Sequence, residues 1–488
     1  MRSFSINAPW PLALLLLLAT VPGMAQSGGS SPLSAYGLGE VVGNTQVPQL
    51  LMGSVGVAVT EPAGISPLNP ASYVSLRKAT FETGFAGHFT ELSTDGATQD
   101  RNDVRVLGMS LGIPWGNGRW GLAIGMLPVT STGYYVTDKQ ELSNGDEVTF
   151  QYRGTGGLNR AFLGLAHTIW RAKPDSSGRA RGQLAVGANF NFLFGTVEAS
   201  SNAIYPVGQG YTNLLSYTGL VLRGPTGNFG LHYSNELISL KTMVDRRKAR
   251  FQREVDAHAE WVRTHPDEQR EAPKIGPLPQ VPWRYVIGLC GEMGTNLGAK
   301  RNALETSYVI SSGVEVIRDT NNVSVGRKGT LFIPPSFGAG FQLMNERWNI
   351  SADVRGRDWS ALRLDVDGYS LPSQLRPSMS YQAGAAFRPA RDRDREFLKR
   401  LIYRAGIRYT TDYLKVRDLQ LDELAVSGGI SIPLSEGNYL ARVHLGVVAG
   451  QRGDAVETGI KERFANFYIG LTLTPNLRER WFSPFRIE

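Results

Sequence analysis

The sequence predicts an all-β protein, a 14-stranded antiparallel transmembrane β-barrel with an N-terminal hatch inside the lumen. Three observations lead to this fold: an export signal with no later membrane helix, long alternating segments, and connections that alternate between short and long. The 56 Gly and 26 Pro are too many for a helical bundle, and the 19% of charged residues lies below the roughly 25% of soluble domains. A single cysteine, Cys290, excludes a disulfide scaffold. A net charge of +8 spread over 488 residues favours no nucleic-acid partner.

Residues 1–25 have the pattern of a secretory signal peptide. Arg2 supplies the positive charge, residues 10–21 form the apolar run, and Gly23-Met24-Ala25 is a small-x-small cleavage site. The apolar run is shorter than the ~20 residues that a membrane helix needs, and no later stretch reaches that length. We therefore expect an exported chain, either soluble or folded as a barrel.

The strands are predicted from apolar and polar residues that alternate with period two. The segment Trp348 to Arg355 has one apolar and one polar face, and residues 183–194, 401–409 and 439–445 repeat the pattern. These segments are about twice the ~5–6 residues of an average soluble strand. Fourteen strands are expected, at 79–91, 103–114, 119–134, 148–170, 180–198, 213–224, 227–242, 331–344, 347–359, 378–389, 400–411, 424–434, 438–450 and 464–475.

The connections indicate the topology of a barrel in the bacterial outer membrane, with short periplasmic turns and longer external loops. Short turns are predicted near residues 116, 225, 346 and 436. The segment 243–330 is predicted to be a long, partly helical extracellular loop, and 476–488 a periplasmic tail. A periplasmic aromatic girdle is expected from Trp115, Trp120, Trp170, Trp348, Tyr439, Trp481 and Phe482.

Residues 26–78 do not alternate, and they are predicted to form a hatch in front of the barrel of residues 79–475. They are rich in Gly, Pro, Ser and Asn, while Leu50, Leu51 and Val55 give them an apolar part to bury. Fourteen strands enclose more space than inward side chains fill, because about eight strands already suffice for a filled interior. The polar positions expected to line the lumen are Asn349, Asp353, Arg355, Arg404, Arg408, Arg442 and His444.

Two short segments of the predicted hatch carry a resemblance to a known family. Met52-Gly53-Ser54-Val55-Gly56-Val57-Ala58, followed by Asn69-Pro70-Ala71-Ser72-Tyr73, resembles the hatch of the FadL-type outer-membrane transporters of hydrophobic compounds. Residues 34–39, 333–341 and 478–482 resemble members from Bacteroidetes-like bacteria. The resemblance implies fourteen strands, a plug threaded into the lumen and passive uptake of apolar ligands. Asn69, Pro70 and Ala71 are the expected gate, because Pro fixes φ and the Asn side chain bonds the local backbone.

Catalytic and metal-binding motifs receive little support. Gly108-Met109-Ser110-Leu111-Gly112 fits the G-x-S-x-G pattern, but it lies in an alternating segment and not at a strand–turn–helix junction. The six histidines form no H-E-x-x-H pair, so neither a metal nor a cofactor is expected.

The predicted function is passive outer-membrane transport of hydrophobic small molecules, such as long-chain fatty acids, with that ligand and outer-membrane lipid as partners. Two alternatives stay open. The branch of the family that serves type IX secretion as a protein shuttle shares the same plan, which would make secreted proteins partners. An outer-membrane hydrolase using Ser110 is the third hypothesis, although a non-enzyme is expected.

Overall fold

A computed structural model describes most of the chain after the predicted signal. The described ranges are 31–43, 45–94, 97–116, 118–173, 181–206, 210–265, 271–275, 281–311, 313–367, 375–389, 396–416, 419–435, 438–454 and 459–475. The predicted signal peptide, the first residues of the predicted hatch and the predicted periplasmic tail lie outside these ranges.

The structure confirms the predicted antiparallel barrel of fourteen strands. The strands are β1 (Thr80–Thr94), β2 (Ala97–Trp115), β3 (Trp120–Pro128 and Thr130–Glu141), β4 (Glu147–Arg171), β5 (Gly182–Ile204), β6 (Asn213–Ile238), β7 (Trp283–Glu292 and Thr295–Ser311), β8 (Val314–Ile333 and Ser336–Met344), β9 (Trp348–Asp358 and Arg363–Asp365), β10 (Pro377–Phe387), β11 (Ile402–Val416), β12 (Leu419–Ser435), β13 (Asn438–Arg452) and β14 (Ile460–Leu473). The sheet closes because β14 pairs with β1, from Ile460 opposite Thr94 to Leu473 opposite Phe81.

Four of the strands, β3, β7, β8 and β9, are interrupted near their middle. In β3 the interruption is Val129, and in β8 it is Pro334-Pro335, which cannot donate to a ladder. Both pieces of β3 pair with the same neighbour, β4, and both pieces of β7 pair with β6. The two pieces of each interrupted strand therefore count as one strand of the barrel, which spans the membrane once.

Strand β6 corrects two of the predicted boundaries. Gly224 to Gly227 was expected to be a turn between strands 213–224 and 227–242, but residues 213–238 form one strand whose pairing with β5 runs straight through this point. Pro225 lies beside the interruption in β7, where Met293 N donates to Gly227 O at 2.9 Å and Thr295 Oγ1 to Pro225 O at 2.7 Å. A proline is tolerated in a strand where the neighbouring ladder is broken.

The predicted extracellular loop 243–330 is also corrected. Its second part contains β7 and the first piece of β8, which lie in the barrel wall and pair with each other from Thr295 opposite Ile333 to Ser311 opposite Val314. Residues 283–293 have the composition of a strand, but the even strand count placed them outside the wall, and residues 295–330 were missed because polar and charged side chains obscure the alternation. The predicted total of fourteen strands is nevertheless correct, because the prediction divided β6 into two strands and left β7 out of the wall.

Helices form only a small part of the fold. They are α1 (Val47–Leu50), α2 (Leu240–Thr264) and α3 (Phe397–Arg400), with 3-10 helices at Pro32–Ala35, Pro70–Ser75 and Trp359–Ala361. None of the helices in the described ranges is long and apolar enough to span a membrane. Because β6 runs back toward the end of the barrel where β1 begins, α2 follows it at that same end and not at the opposite, extracellular one.

The outer surface carries a band of exposed apolar side chains, as a wall in contact with lipid requires. Members from around the barrel are Phe85, Met109, Ile124, Leu163, Phe190, Phe229, Leu289, Phe337, Ile350, Ile407, Val426 and Phe467. Trp115, Trp170 and Trp348 are exposed at the edge of the band near the end where β1 begins. The rings of Trp120 and His167 pack at an angle of 35° with their centroids 3.9 Å apart. The side chain of Tyr439, and Trp481 and Phe482, lie outside the described part of the chain.

The strands extend much farther beyond this band at the end where β1 finishes and β14 starts. There the hairpin of β7 and β8 and the second piece of β3 are largely exposed and mostly polar. Outer-membrane barrels carry their larger extensions outside the cell. The end where β1 begins and β14 ends is therefore periplasmic, and the chain is a bacterial outer-membrane protein, as predicted.

Residues 45–76, called the lumen segment here, pack against the inner wall at the level of the apolar band. Most of its residues are buried, including Leu51, Met52, Val55 and Tyr73. The wall makes room for it with glycines. Among the described residues, thirteen strands each place a glycine where an added Cβ would lie within 3.0 Å of the lumen segment: Gly84, Gly112, Gly121, Gly164, Gly187, Gly230, Gly288, Gly340, Gly384, Gly406, Gly429, Gly446 and Gly470. Only β9 contributes none.

We expect Gly406→Val to destabilise the barrel by about 1–3 kcal/mol, because its side chain would overlap the backbone of Met52 and Gly53. The matched control is Gly428→Val on the outward face of the next strand, where the nearest atom to an added Cβ is Arg404 O at 3.9 Å. Urea unfolding in detergent, followed by heat-modifiable migration, measures both. Equal losses in the two variants would contradict the close packing of the lumen segment.

Candidate functional site

Three inward side chains of the wall hold the backbone of the lumen segment. Asp353 Oδ2 accepts hydrogen bonds from Gly56 N at 2.5 Å and Val57 N at 2.8 Å. Gln342 Oε1 accepts from Thr60 N at 3.1 Å, and Glu82 Oε2 accepts from Ile65 N at 2.9 Å. Buried amide N–H groups without partners are costly, so these side chains stabilise one position of the segment.

The predicted gate residues lie at the contact between the lumen segment and strands β6 and β7. Asn69 is fully buried, and its Nδ2 donates to Val57 O at 2.6 Å and to the wall carbonyls of Leu289 at 3.2 Å and Leu231 at 3.4 Å. Its Oδ1 caps the 3-10 helix by accepting from Ala71 N at 3.2 Å. Pro70 and Ala71 pack over Gly187 of β5. The three residues thus form one anchored turn.

A chain of polar contacts joins the lumen segment to strands β1 and β11 to β14. Arg404 Nη1 donates to Glu61 Oε1 at 2.9 Å and its Nε to Ser431 Oγ at 3.2 Å. His444 hydrogen-bonds Ser431 Oγ at 2.8 Å and Thr472 Oγ1 at 2.9 Å. Thr472 Oγ1 donates to Glu82 Oε1 at 3.1 Å, and Glu82 holds Ile65 N.

The remaining predicted lumen residues lie on the same inner face. Arg408 Nη1 donates to Ser54 Oγ at 2.9 Å, and Arg355 Nη2 donates to Ser54 O at 3.0 Å. Ser54 has a φ of 68°, a left-handed conformation that is unusual for a residue other than glycine, and these two contacts hold it there. Asn349 accepts from Gln342 at 2.9 Å, and Arg442 is buried.

Above the lumen segment, on its extracellular side, lies a cavity of about 760 Å³. Its floor includes Leu50, Ser54 and Leu68. Beyond it, Leu33 and Leu38 of the N-terminal chain pack with inward leucines of the wall, among them Leu158, Leu193 and Leu222. The N-terminal chain therefore bounds the cavity from below and packs into an apolar cluster above it.

The cavity wall is rich in charged side chains, most of them paired. The arginines are Arg105, Arg160, Arg355, Arg357, Arg408 and Arg452, and the carboxylates are Glu40, Glu292, Asp412 and Glu423. Arg105 pairs with Glu40 at 3.1 Å, Arg408 with Glu423 at 2.5 Å, and Arg452 with Asp412. Arg160 and Arg357 share the single carboxylate of Glu292, so this side of the cavity carries one surplus positive charge.

The sequence interpretation missed most of these cavity residues. Arg105 sits between Val104 and Val106, which is the pattern of a polar inward position between outward apolar ones. Applying that criterion to every strand would have found Arg105. The inward glycines were missed as well, although one glycine inside nearly every alternating segment was a readable signal.

The wall beside the cavity is open between β2 and β3. Their backbone pairing runs only from Met109 opposite Met126 to Trp115 opposite Trp120. No backbone pairing within the described ranges joins residues 97–108 of β2 to the second piece of β3, which pairs on its other side with β4. Farther toward the extracellular end, Arg101 Nη2 of β2 donates to Tyr135 O of β3 at 2.6 Å. A short strand, Glu40–Val41, pairs instead with Ser131 and Thr130.

This opening connects the cavity with the apolar outer surface. Val106 and Leu107 line the cavity on one side of the opening, and Pro128 and Val129 line it on the other. On the outside, Val104 is 80% exposed, at the height of the exposed Phe85 and Phe89 of β1. A ligand in the cavity could therefore reach lipid without crossing the extracellular water.

Ser110, the candidate nucleophile, lies inside strand β2 and is almost completely buried. Its Oγ accepts a hydrogen bond from Gln46 Nε2 of the lumen segment at 2.7 Å. A nucleophile elbow instead exposes its serine at a sharp strand-to-helix turn, so this geometry does not fit it. Among the described residues no group of His, Cys, Asp or Glu is arranged to hold a metal ion.

The pairing of Glu61 with Arg404 should make the stability of the barrel depend on pH. Burial by itself raises the pKa of Glu61, but the guanidinium of Arg404, with help from Arg442, outweighs it and holds that pKa below its ordinary value of 4.5. The stabilisation is therefore present above pH 4.5 and is lost as the pH falls through the lowered pKa.

We expect Glu61→Gln to lower the free energy of unfolding by about 3 kcal/mol at pH 7, because it leaves the buried Arg404 without its counter-charge. The difference from the wild type should vanish at acidic pH. Urea midpoints in detergent across pH 3–7 measure it. The control is Glu91→Gln, since Glu91 forms an exposed 3.8 Å pair with Arg463 and should change stability little. A difference that is constant with pH would contradict the role of this ion pair.

Comparisons with known proteins were made for both sequence and fold. A sequence model of the family described as BamG matches residues 10–266 and 284–488, well over half of the chain. A search of curated proteins finds no match to this sequence. Among solved structures, the P. putida toluene transporter TodX aligns with a TM-score of 0.51 and 14% identity, over 90% of this chain and 100% of that one.

A second solved structure agrees with the first. The Ralstonia pickettii toluene transporter TbuX aligns with a TM-score of 0.50 and 13% identity, over 88% of this chain and 98% of that one. At identities of 13–14% these similarities show the fold alone. They confirm that the chain has the fold of the FadL-type transporters, which the hatch motifs resemble. The chain belongs to the BamG family, and its fold is that of the FadL-type outer-membrane transporters.

Proposed function

We propose that this protein lets hydrophobic small molecules cross the outer membrane passively, through the cavity and the opening between β2 and β3. The observation that carries the proposal is the cavity of about 760 Å³, lined on both sides of that opening by Val106, Leu107, Pro128 and Val129. Apolar solutes gain nothing from entering a water-filled pore. A sideways exit into the lipid spares them that step.

The surplus positive charge beside Glu292 supports ligands with a polar or anionic end. Arg160 and Arg357 hold the one carboxylate of Glu292 between them. A ligand carboxylate near this pair would gain charge-assisted hydrogen bonds, while its tail lies along the apolar edge of the opening. Long-chain fatty acids and similar lipophilic acids combine both features. The two solved structures of similar fold are toluene transporters, which supports hydrophobic compounds as the wider class.

The lumen segment acts as the hatch in this proposal, with Asn69, Pro70 and Ala71 as its hinge. The hydrogen bonds from Asn69 to the carbonyls of Leu231 and Leu289 attach it to β6 and β7. Elsewhere in the wall, on strand β11, the segment is held by Arg404 and Arg408. Displacing those side-chain contacts while Asn69 stays anchored would open the lumen below the cavity.

A protein-binding role is the second candidate, and it would make secreted proteins the partners. The extracellular part of β8 supports it, since Val314, Ile317, Val323 and Val325 are exposed there. Purification of the intact protein from membranes separates the two roles. A lipophilic ligand recovered with the barrel favours transport, and an exported protein recovered in stoichiometric amount favours the shuttle.

The opening between β2 and β3 should be required for transport. We expect a thiol-reactive cross-link between Val106→Cys and Thr130→Cys, in a Cys290→Ser background, to abolish fatty-acid uptake into cells. Cleaving a reducible linker should restore uptake. Each single-cysteine variant, treated with the same reagent, serves as the control. Full uptake through the cross-linked barrel would contradict the sideways route.

The lumen segment should be what keeps the barrel from conducting ions. We expect deletion of residues 31–76 to give an open, water-conducting pore, because the inward arginines and carboxylates would attract water once exposed. Asn69→Ala with Pro70→Ala should raise conductance by less. Single-channel recording in planar bilayers, with heat-modifiability to verify folding, measures both. Equal conductance of intact and deleted forms would show that the segment does not close the lumen.

A further inference from the structure

Helix α2 leaves the barrel at the periplasmic face of the membrane. It begins at Leu240, directly after β6 ends at Ile238, and the chain returns at Trp283, which pairs with Ile238. Tyr233 of β6 and Tyr285 of β7 lie nearby in a row of aromatic rings 6.2 Å apart, as at a membrane interface. Ser239 caps the helix by accepting from Thr242 N at 3.2 Å.

The helix is amphipathic and has no buried residue. Helical periodicity places Met243, Val244, Phe251, Val255, Trp261 and Val262 on one face. Arg247, Glu254 and His258 share that face. Phe251, Val255 and Trp261 are half-buried, and the ring of Trp261 stacks on that of His265 with centroids 4.9 Å apart. Val262 on the same face is 45% exposed, so part of this face is open to its surroundings.

The charges on α2 are arranged around this apolar face. Lys248 and Arg250 flank it on either side, whereas Asp245, Asp256 and Glu260 lie on the opposite face. The half of the helix nearest the barrel is strongly basic. Residues 241–253 contain the basic residues Lys241, Arg246, Arg247, Lys248, Arg250 and Arg253, with Asp245 as the only acidic one.

We infer that α2 lies along the periplasmic leaflet of the outer membrane and binds anionic phospholipid headgroups. Its apolar face sinks into the boundary between headgroups and acyl chains, and the flanking Lys248 and Arg250 extend their charged ends to the phosphates. The carboxylates of Asp245, Asp256 and Glu260 then face the periplasm, away from the lipid charge. A basic segment beside a membrane gains roughly 1 kcal/mol per Lys or Arg from anionic lipid, about fivefold in the binding constant.

The alternative occupant of this face is an acidic protein in the periplasm. The position of the charges argues for lipid, because the basic residues are concentrated where the helix leaves the membrane. Three of its four carboxylates, those of Asp245, Asp256 and Glu260, lie opposite the apolar face. The experiment below distinguishes the two.

The test uses the full-length barrel in nanodiscs, with Cys290→Ser and a spin label at one of two positions. Val255→Cys places the label on the apolar face, and Asp256→Cys, its matched control, places it on the opposite face. The discs contain phosphatidylcholine alone or with phosphatidylglycerol. Collision rates with oxygen and with a water-soluble nickel complex report whether each label lies in lipid or in water.

With phosphatidylglycerol we expect the label at position 255 to be reached by oxygen and protected from nickel, while the label at 256 stays accessible to nickel. Replacing Arg246, Arg247, Lys248 and Arg250 with Gln should expose position 255 to water again. Heat-modifiable migration confirms that each variant is folded. If both labels are equally accessible to nickel in the anionic discs, the helix stands in the periplasm, the lipid assignment is wrong, and an acidic protein becomes the occupant.

Discussion

The close approach of the lumen segment to the wall is the constraint on which the rest of the structure depends. A wall of fourteen strands encloses more volume than its own side chains can fill, so a stretch of the chain itself occupies the lumen. Backbone then meets backbone, as at Met52 and Gly384, and no side chain larger than hydrogen fits between them. The inward glycines of thirteen strands follow from this contact. On β9, Asp353 receives two N–H groups of the segment instead.

The backbone amide groups of the lumen segment lose their hydrogen bonds to water when the segment packs inside the barrel. They therefore need hydrogen-bond partners in the wall. Inward side chains of the wall replace the lost water. Gln342 and Glu82 accept hydrogen bonds from N–H groups of the lumen segment, and arginines donate to its side chains and carbonyls. A buried charge without a partner costs several kcal/mol, so pairs such as Arg404 with Glu61 stabilise one docked position of the segment against others. The polar interior is therefore a set of attachments and not a water channel.

The cavity and the opening lie where the lumen segment no longer packs against the wall. The cavity lies on the extracellular side of Ser54. Beside it β2 and the second piece of β3 have no backbone pairing, and Glu40–Val41 pairs with β3 in place of β2. Interrupting a strand at Val129 permits this change of partner without breaking the lower ladder. The same chain thus packs into the periplasmic half of the lumen and lines the opening beside the cavity, and the proposed function links transport with closure for this reason.

Local pattern by itself determined the fold class of this protein, its export, and the polar inward positions such as Asp353, Arg404 and Arg408. Period-two alternation indicates which face of a strand contacts lipid, and a stretch of a few residues is enough to show it. Only the tertiary structure decided the features that depend on pairing with neighbouring strands. Gly224 to Gly227 has the composition of a turn, but the ladder with β5 extends through it, and residues 295–311 gain their place in the wall from pairing with β6 and β8. The partners of Glu61 and Asn69 lie 343 and 220 residues away, and contacts at such separations exist only once the barrel has closed.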